Sequence, residues 1–420
     1  MVKNKDMEKL KEGWRKVKLG EVANITKLSG FEFTEHMNYM ESGEIIAIRA
    51  LNIKNGKLDL SEIKRIAKET SDKLERSKLH KEDIVFTYTG AKFGEVAIID
   101  KNEKYHLAPN VARIRVNKEY NNYFFFSYFR SQEFKNLIRN YVGGSTQPTI
   151  PMGTIRILDV PLPPLETQEK IASILSVLDD KIEINNEMNK TFEEMAQTLF
   201  KRWFVDFDFP NENEEPYRSS GGKMVDSELG EIPEGWEVLS LLDIADYLNG
   251  LAMQKYRPKG HESIKVIKIR EMNNGFSLDS DLCCTTIPEK YKIKNGDILF
   301  SWSGTLKLML WNKEIGGLNQ HIFKVTSEKF EKWFIYLWTK FHLNNFIHVA
   351  ESRATTMGHI KRQNLKEAKV IVPKKDIILK MDKIMIPVLE NIINYNEEIQ
   401  SLTKIRDTLL PKLMSGEIEV

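Results

Sequence analysis

The chain repeats itself in order, and that restricts it to architectures that can be built twice. Gly13-Trp14 followed by Leu19-Gly20-Glu21-Val22-Ala23 returns as Gly235-Trp236 followed by Leu241-Leu242-Asp243-Ile244-Ala245. Ile48-Arg49-Ala50-Leu51-Asn52 returns as Ile269-Arg270-Glu271-Met272-Asn273, each with an Asn-Gly close behind. Asp83-Ile84-Val85-Phe86-Thr87-Tyr88-Thr89-Gly90 returns as Asp297-Ile298-Leu299-Phe300-Ser301-Trp302-Ser303-Gly304. The match runs on through Asn110 and Asn319, Tyr123-Phe124 and Trp333-Phe334, and Val160-Pro161-Leu162-Pro163 and Val370-Ile371-Val372-Pro373. The offset falls from 222 through 214 to 209–210 and then holds, as small loop deletions produce. Self-similarity of this order sets the fold before any local reading.

Each copy has two parts. The first mixes short β-rich runs (Glu44 to Leu51, Asp83 to Thr89, Glu95 to Ile99, Val111 to Val116) with turn signals such as Asn55-Gly56. An aromatic helical stretch follows, Tyr123 to Tyr141 in one copy and Phe330 to Val349 in the other. The expected fold class is α/β (α+β), with a small twisted sheet in each domain. The second part of each copy is a long apolar stripe. Ile171, Ile174, Leu178, Ile182, Met188, Phe192, Met195, Leu199 and Trp203 recur every three or four residues between Glu166 and Phe204. Met381, Ile384, Val388, Ile392, Tyr395, Ile399, Leu402, Ile405, Leu409 and Leu413 do so between Asp376 and Met414. The spacing predicts two helices of about 39 residues, each roughly 60 Å long.

Such stripes bury themselves most simply against each other, as an antiparallel coiled coil with pseudo-two-fold symmetry between two similar domains; the alternative packs each helix on its own domain. Asn185 falls at a core position, where a polar residue fixes register. Pro387 and Pro411 predict a local bend or end of the second helix. The division expected is a first domain over 1–163, a helix over 164–208, a linker over 209–230, a second domain over 231–373 and a helix over 374–420.

Charge and motifs narrow the function. Net charge is only +2, but residues 1–160 carry seven more cations than anions, 161–230 eight fewer, 231–373 four more and 374–420 one fewer. Alternating basic blocks favour a polyanionic partner. No apolar run approaches a membrane span, and Met1 to Glu8 lacks a secretion-signal core, so a cytoplasmic protein with no membrane partner is expected. Cys283 and Cys284 are adjacent, which suits neither a fold-stapling disulfide nor a structural zinc site, and no metal is expected. There is no G-x-G-x-x-G, Walker, H-E-x-x-H or G-x-S-x-G pattern, and no Asn-Pro-Pro-aromatic motif of amino-methyltransferases. The Glu-x-Lys triplets at Glu62, Glu133 and Glu367 are expected by chance at this charge density. A binding protein without catalytic residues or a cofactor of its own is the expectation.

Taken with the duplication, four segments resemble the specificity subunit of type I restriction-modification enzymes over essentially the whole length. Glu228-Leu229-Gly230-Glu231-Ile232-Pro233-Glu234-Gly235-Trp236 looks like the entry to a target recognition domain. Pro161-Leu162-Pro163-Pro164-Leu165-Glu166-Thr167-Gln168-Glu169-Lys170-Ile171 looks like the exit into a spacer helix. Leu199-Phe200-Lys201-Arg202-Trp203-Phe204 and Leu409-Leu410-Pro411-Lys412-Leu413-Met414-Ser415-Gly416 look like the two helix ends. Val372-Pro373-Lys374-Lys375-Asp376 departs from the pattern, lacking the Pro-Pro-Leu-Glu and Gln of the first copy.

The resemblance implies a bipartite double-stranded DNA target, one half-site per domain, with the helices setting the spacing. It also implies two methyltransferase (modification) subunits that bind S-adenosylmethionine, and two restriction subunits that use ATP and magnesium. Base readout draws on loop donors and acceptors. The candidates in the first domain are Lys27, Arg49, Asn52, Tyr88, Thr89, Lys92, Asn110, Ser145, Thr146 and Gln147. In the second they are Lys255, Arg257, Arg270, Asn273, Trp302, Ser303, Lys307, Gln320, Arg353, Thr355 and Thr356. Tyr88 and Trp302 could instead belong to the core. Arg49 and Arg270 could hold phosphate or a carboxylate rather than a base, and Gly90 and Gly304 could serve only their turns.

Overall fold

The computed structural model describes residues 11–142, 147–260, 262–352 and 358–420. Two compact units divide it: Met1–Asp180 with Leu402–Val420, and Lys181–Ser401.

The first unit holds two four-stranded sheets. One is antiparallel, in the order Ala23–Lys27, Val111–Val116, Ile84–Thr87, Val96–Ile98. The other runs Lys64–Ile66, Ile45–Ile48, Tyr105–Leu107, Lys78–Leu79, and its two central strands are parallel. Arg15–Lys18 pairs antiparallel with Asp159–Leu162. Each of the four β-rich runs of the sequence contains a strand, and Ile45–Ile48 and Ile84–Thr87 are buried throughout and apolar but for Thr87 because these central strands are covered on both faces. The second unit repeats this topology strand for strand. Its antiparallel sheet is Asp246–Asn249, Ile322–Thr326, Ile298–Ser301, Lys307–Leu310. Its mixed sheet is Leu282–Cys284, Ser263–Ile267, Gly316–Leu318, Lys292–Ile293, again with a parallel central pair. Glu237–Ser240 with Lys369–Val372 completes the correspondence.

The aromatic stretches fold differently in the two copies. Lys332–Ser352 is one helix, whereas the first copy breaks into Asn122–Arg130 and Gln132–Arg139. Ser131 makes the break: its backbone is extended (ψ 154°) and its hydroxyl accepts the Phe134 N–H at 3.1 Å, so it caps a new helix. The Asn-Gly pairs diverge as well. Asn55-Gly56, both at positive φ, turns a hairpin between Ile53–Lys54 and Lys57–Leu58. Gly275 (φ 76°) instead ends the helix Ile269–Asn274.

Both long helices form. The first runs Leu165–Phe200 and closes in a π turn over Lys201–Val205; the second runs Lys375–Met414. Pro387 and Pro411 do not interrupt the second helix, contrary to expectation. In each unit the two helices pair antiparallel. In the first, Ile171 and Leu175 share a core with Leu413 and Met414. In the second, Ala196 and Phe200 share one with Met381, Met385, Val388 and Ile392, and Phe192 stacks on Tyr395 at 6.1 Å between centroids.

The seam differs in detail from the predicted stripe. Ile174, Met195, Ile384 and Ile405 are exposed. Leu175, Ala196, Met385 and Arg406 take the inward places beside them, and Asn189 is buried next to the half-buried Met188. The inward set 171, 175, 178, 182, 185, 189, 192, 196, 199, 203 alternates steps of four and three, the coiled-coil period. Asn185 is fully buried as expected, and its amide donates to Glu398 at 2.8 Å.

The segment expected as a linker over 209–230 is folded. Phe209 stacks on Trp236 and Tyr217, and Met224–Ser227 forms a hairpin with Gly230–Pro233.

Candidate nucleic-acid interface

In the first unit, the chain leaving Ile84–Thr87 is joined at its end by two other segments. Tyr88 N donates to the Asn110 carbonyl (3.1 Å), Ile150 N to the Tyr88 carbonyl (3.0 Å) and Gly90 N to the Pro148 carbonyl (3.0 Å). Gly90 turns the chain at φ 91°, where a side chain would be strained. Around this end stand Lys27, whose ammonium lies 5.1 Å from the Tyr88 ring centroid, Asn110, exposed at φ 72°, and the exposed Lys92 and Gln147. Thr89 bonds its hydroxyl to Thr149. Tyr88 is half-buried: its ring packs on the core edge while its free face carries the cation.

The second unit builds the same end with other side chains. Trp302 N donates to the His321 carbonyl (3.2 Å), Ile360 N to the Trp302 carbonyl (3.0 Å) and Gly304 N, at φ 65°, to the Gly358 carbonyl (2.8 Å). His321 therefore occupies the place of Asn110, which the sequence match had given to Asn319. Trp302 donates Nε1–H to Asn249 Oδ1 at 2.9 Å, so Asn249 stands where Lys27 stands in the first copy. The Ser303 hydroxyl and His321 Nδ1 are 3.0 Å apart, and half-buried Gln320 accepts from Asn319 at 2.9 Å. Asn249 and His321 were missed because only strand register reveals their equivalence.

Several sequence candidates are occupied elsewhere. Asn52 is fully buried; its amide donates to the Asp59 and Glu62 carbonyls at 2.9 and 2.8 Å, and its oxygen accepts from Arg49 N. It shapes a loop and presents nothing at the surface. Arg49 reaches the Glu62 carbonyl at 2.9 Å and its carboxylate at 3.4 Å. Arg270 is held by Glu271 and Asp279 at 2.9 and 2.7 Å, and these contacts raise its pKa. Both arginines thus have carboxylate partners. Lys307 donates to the Met272 carbonyl (3.0 Å) and to Asn273 Oδ1 (3.2 Å), and Ser303 is buried. Lys255 and Arg257 are exposed on a loop beside the second sheet. Ser145, Thr146, Arg353, Thr355 and Thr356 lie outside the described residues.

Gln168 emerges as a joint between sheet domain and helix. It is buried, its Oε1 accepts the Asn121 N–H at 3.0 Å, and its Nε2 donates to the Pro163 carbonyl at 2.8 Å. Among the described residues no cluster of three or more His, Cys, Asp or Glu is placed to hold a metal, and no helix is long and apolar enough to cross a membrane.

Comparison with known proteins decides the family. The model described as "Type I restriction modification DNA specificity domain" matches twice, over residues 11–194 and 233–406. The chain belongs to the type I specificity-subunit family. The two matches each begin near a Gly-Trp of the repeat and run into a long helix. Among relatives, the specificity subunit of the type I restriction enzyme MjaIX from Methanocaldococcus jannaschii is 31% identical, over 70% of this chain and 68% of its own. That of HindI from Haemophilus influenzae is 24% identical, over 96% and 99%. A crystal structure of a type I system S subunit from M. genitalium matches with a TM-score of 0.55 at 18% identity, covering 98% of both chains; this likeness is one of fold. Membership in the specificity-subunit family makes recognition of a DNA target the role of the chain within a type I system.

Proposed function

We propose that this specificity subunit reads a bipartite double-stranded DNA target, one half-site per sheet domain, and has no catalytic residues of its own. The long helices set the unread spacing between half-sites and dock two methyltransferase subunits. S-adenosylmethionine is then held by those partners, and ATP with magnesium by restriction subunits where they join. The observation that carries this reading is the doubled strand end. One backbone arrangement displays Tyr88, Lys27 and Asn110 in one unit and Trp302, Asn249 and His321 in the other. A constant frame with exchanged polar side chains suits two readers of different sequences, because base discrimination rests on the donor and acceptor pattern presented to the groove.

The candidates divide under this reading. Lys27, Tyr88, Thr89, Asn110, Gln147, Trp302 and Gln320 border the doubled strand end and are proposed as readers or their immediate supports; Lys92, Lys255 and Arg257 are proposed to meet backbone phosphate. Arg49, Asn52, Arg270, Asn273, Ser303 and Lys307 support loops.

The test replaces residues 13–160 with the corresponding domain of a relative and maps methylated adenines in cells carrying the partner methyltransferase. One half of the methylated motif is expected to change while the other half stays. A motif unchanged in both halves would remove the assignment of readout to the sheet domain.

A further inference from the structure

The two copies differ sharply just past the first strand of the antiparallel sheet. In the first unit this stretch is the helix Gly30–His36, whose Glu32 caps its own start at Ser29 and pairs with Arg76 at 3.1 Å, and which also carries Glu35. In the second unit the same place in the fold, between Asp246–Asn249 and Ser263–Ile267, is a loop that turns once over Met253–Lys255 and carries Lys255, Arg257 and Lys259. An acidic helix in one repeat has become a basic loop in the other.

The basic loop lines a cleft of about 510 Å³. Its cations share the lining with hydroxyl-bearing Tyr256 and Thr285, and the loop is tied to the edge strand where Cys284 N donates to the Tyr256 carbonyl at 2.8 Å. Glu262 also lines it, within 3.4 Å of the Thr285 hydroxyl. The nearby Asp281, whose charge is felt by Arg257, pairs with Lys268 instead. All three loop cations are exposed, and none forms an ion pair or side-chain hydrogen bond among the described residues. Three unpaired cations against one lining carboxylate leave the cleft positive. The lining also carries the Tyr256 hydroxyl, a donor of the kind that accompanies Lys and Arg on phosphate oxygens.

We infer that Lys255, Arg257 and Lys259 form a clamp for the DNA phosphate backbone that belongs to the second recognition unit alone. This rests on the DNA-reading role proposed above and adds to it a division of labour. At this place in the fold the second unit offers cations to the backbone of its half-site, whereas the first places carboxylates in the corresponding segment. Contacts to phosphate add affinity without sequence information and release condensed counterions, so their signature is a salt dependence.

The test uses the full chain assembled with its methyltransferase subunits and a duplex carrying the methylated motif. Binding is measured between 50 and 200 mM salt for wild type and for the variant Lys255→Ala, Arg257→Ala, Lys259→Ala. The slope of log affinity against log salt should become shallower by about 2–3, near 0.9 per lost phosphate contact. The methylated motif and the thermal midpoint should stay as in wild type. Glu262→Gln, which keeps all three cations, should bind more tightly at low salt. An unchanged slope in the triple variant overturns the clamp while leaving the DNA-reading role intact, as does an altered motif, which would make these residues base readers. A wild-type complex whose binding does not weaken with salt overturns both.

Discussion

Asp179, on the first long helix, accepts a hydrogen bond at 2.8 Å from the guanidinium of Arg406 on the second. The same carboxylate takes Arg130 Nη1 at 2.5 Å and the Tyr123 hydroxyl at 2.6 Å, so one side chain ties both helices to the aromatic helix of the sheet domain. Burial works to raise the Asp179 pKa, but Arg130, Tyr123 and Arg406 outweigh it and hold the carboxyl below its ordinary range. Removing one partner of a largely, though not fully, buried charged cluster leaves the others uncompensated. Asp179→Asn is therefore expected to cost about 3 kcal/mol at neutral pH, read from a denaturant midpoint. A depressed folded pKa gives stability that is present above the unfolded value of about 3.9 and lost as pH falls through the folded one. The gap between wild type and Asp179→Asn should therefore close in melts taken below about pH 4.

Buried amides in the helix seam point the other way. The Asn185 and Asn189 side-chain oxygens are buried without a partner, although their amide nitrogens bond to Glu398 and Asn396. Glu398 also has Lys181 at 3.5 Å and would keep that contact. Asn185→Leu should raise stability by about 1 kcal/mol, because an unsatisfied acceptor costs more than its lost hydrogen bond returns. A lower midpoint in thermal melts would show that the amide contributes net stability.

Two tryptophans at the same repeat position should respond unequally. Trp236 is buried against Phe209 at 4.9 Å, with Phe204 and Phe207 within 6 Å between ring centroids, whereas Trp14 is only half-buried. Trp236→Ala is expected to cost about 3–5 kcal/mol and Trp14→Ala distinctly less, by urea denaturation of each variant.

Asn52 and Lys92 separate folding from binding. Asn52→Ala removes three hydrogen bonds from a buried site and should lower stability by about 1–3 kcal/mol without changing the methylated motif. Lys92→Ala, at an exposed position, should leave the melting curve in place and make the salt slope of DNA binding shallower by about 1. Equal stability losses in the two variants would contradict this division.

The repeat made much of this protein legible without coordinates. Apolar runs near Ile45, Ile84, Val96 and Val111 are strands because their patterning demands burial, and a repeated pattern gives the same two-sheet topology twice. The stripe from Ile171 to Trp203 announces a long helix because the period of its apolar residues is a property of the sequence. Which stripe faces inward is not. Ile174 and Leu175, or Ile384 and Met385, satisfy the helical period almost equally, and only the facing helix chooses between them. The same holds at the strand ends. Asn319 resembles Asn110 in sequence, but hydrogen bonding from Trp302 puts His321 in its place, because equivalence there is fixed by which backbone carbonyl meets which N–H. Asn52 looked available as a single residue, while Arg49 and Arg270 were open to a base, a phosphate or the carboxylate that each proves to hold. Tertiary structure supplied the carbonyls and carboxylates that engage them, through contacts between segments that no local spacing encodes.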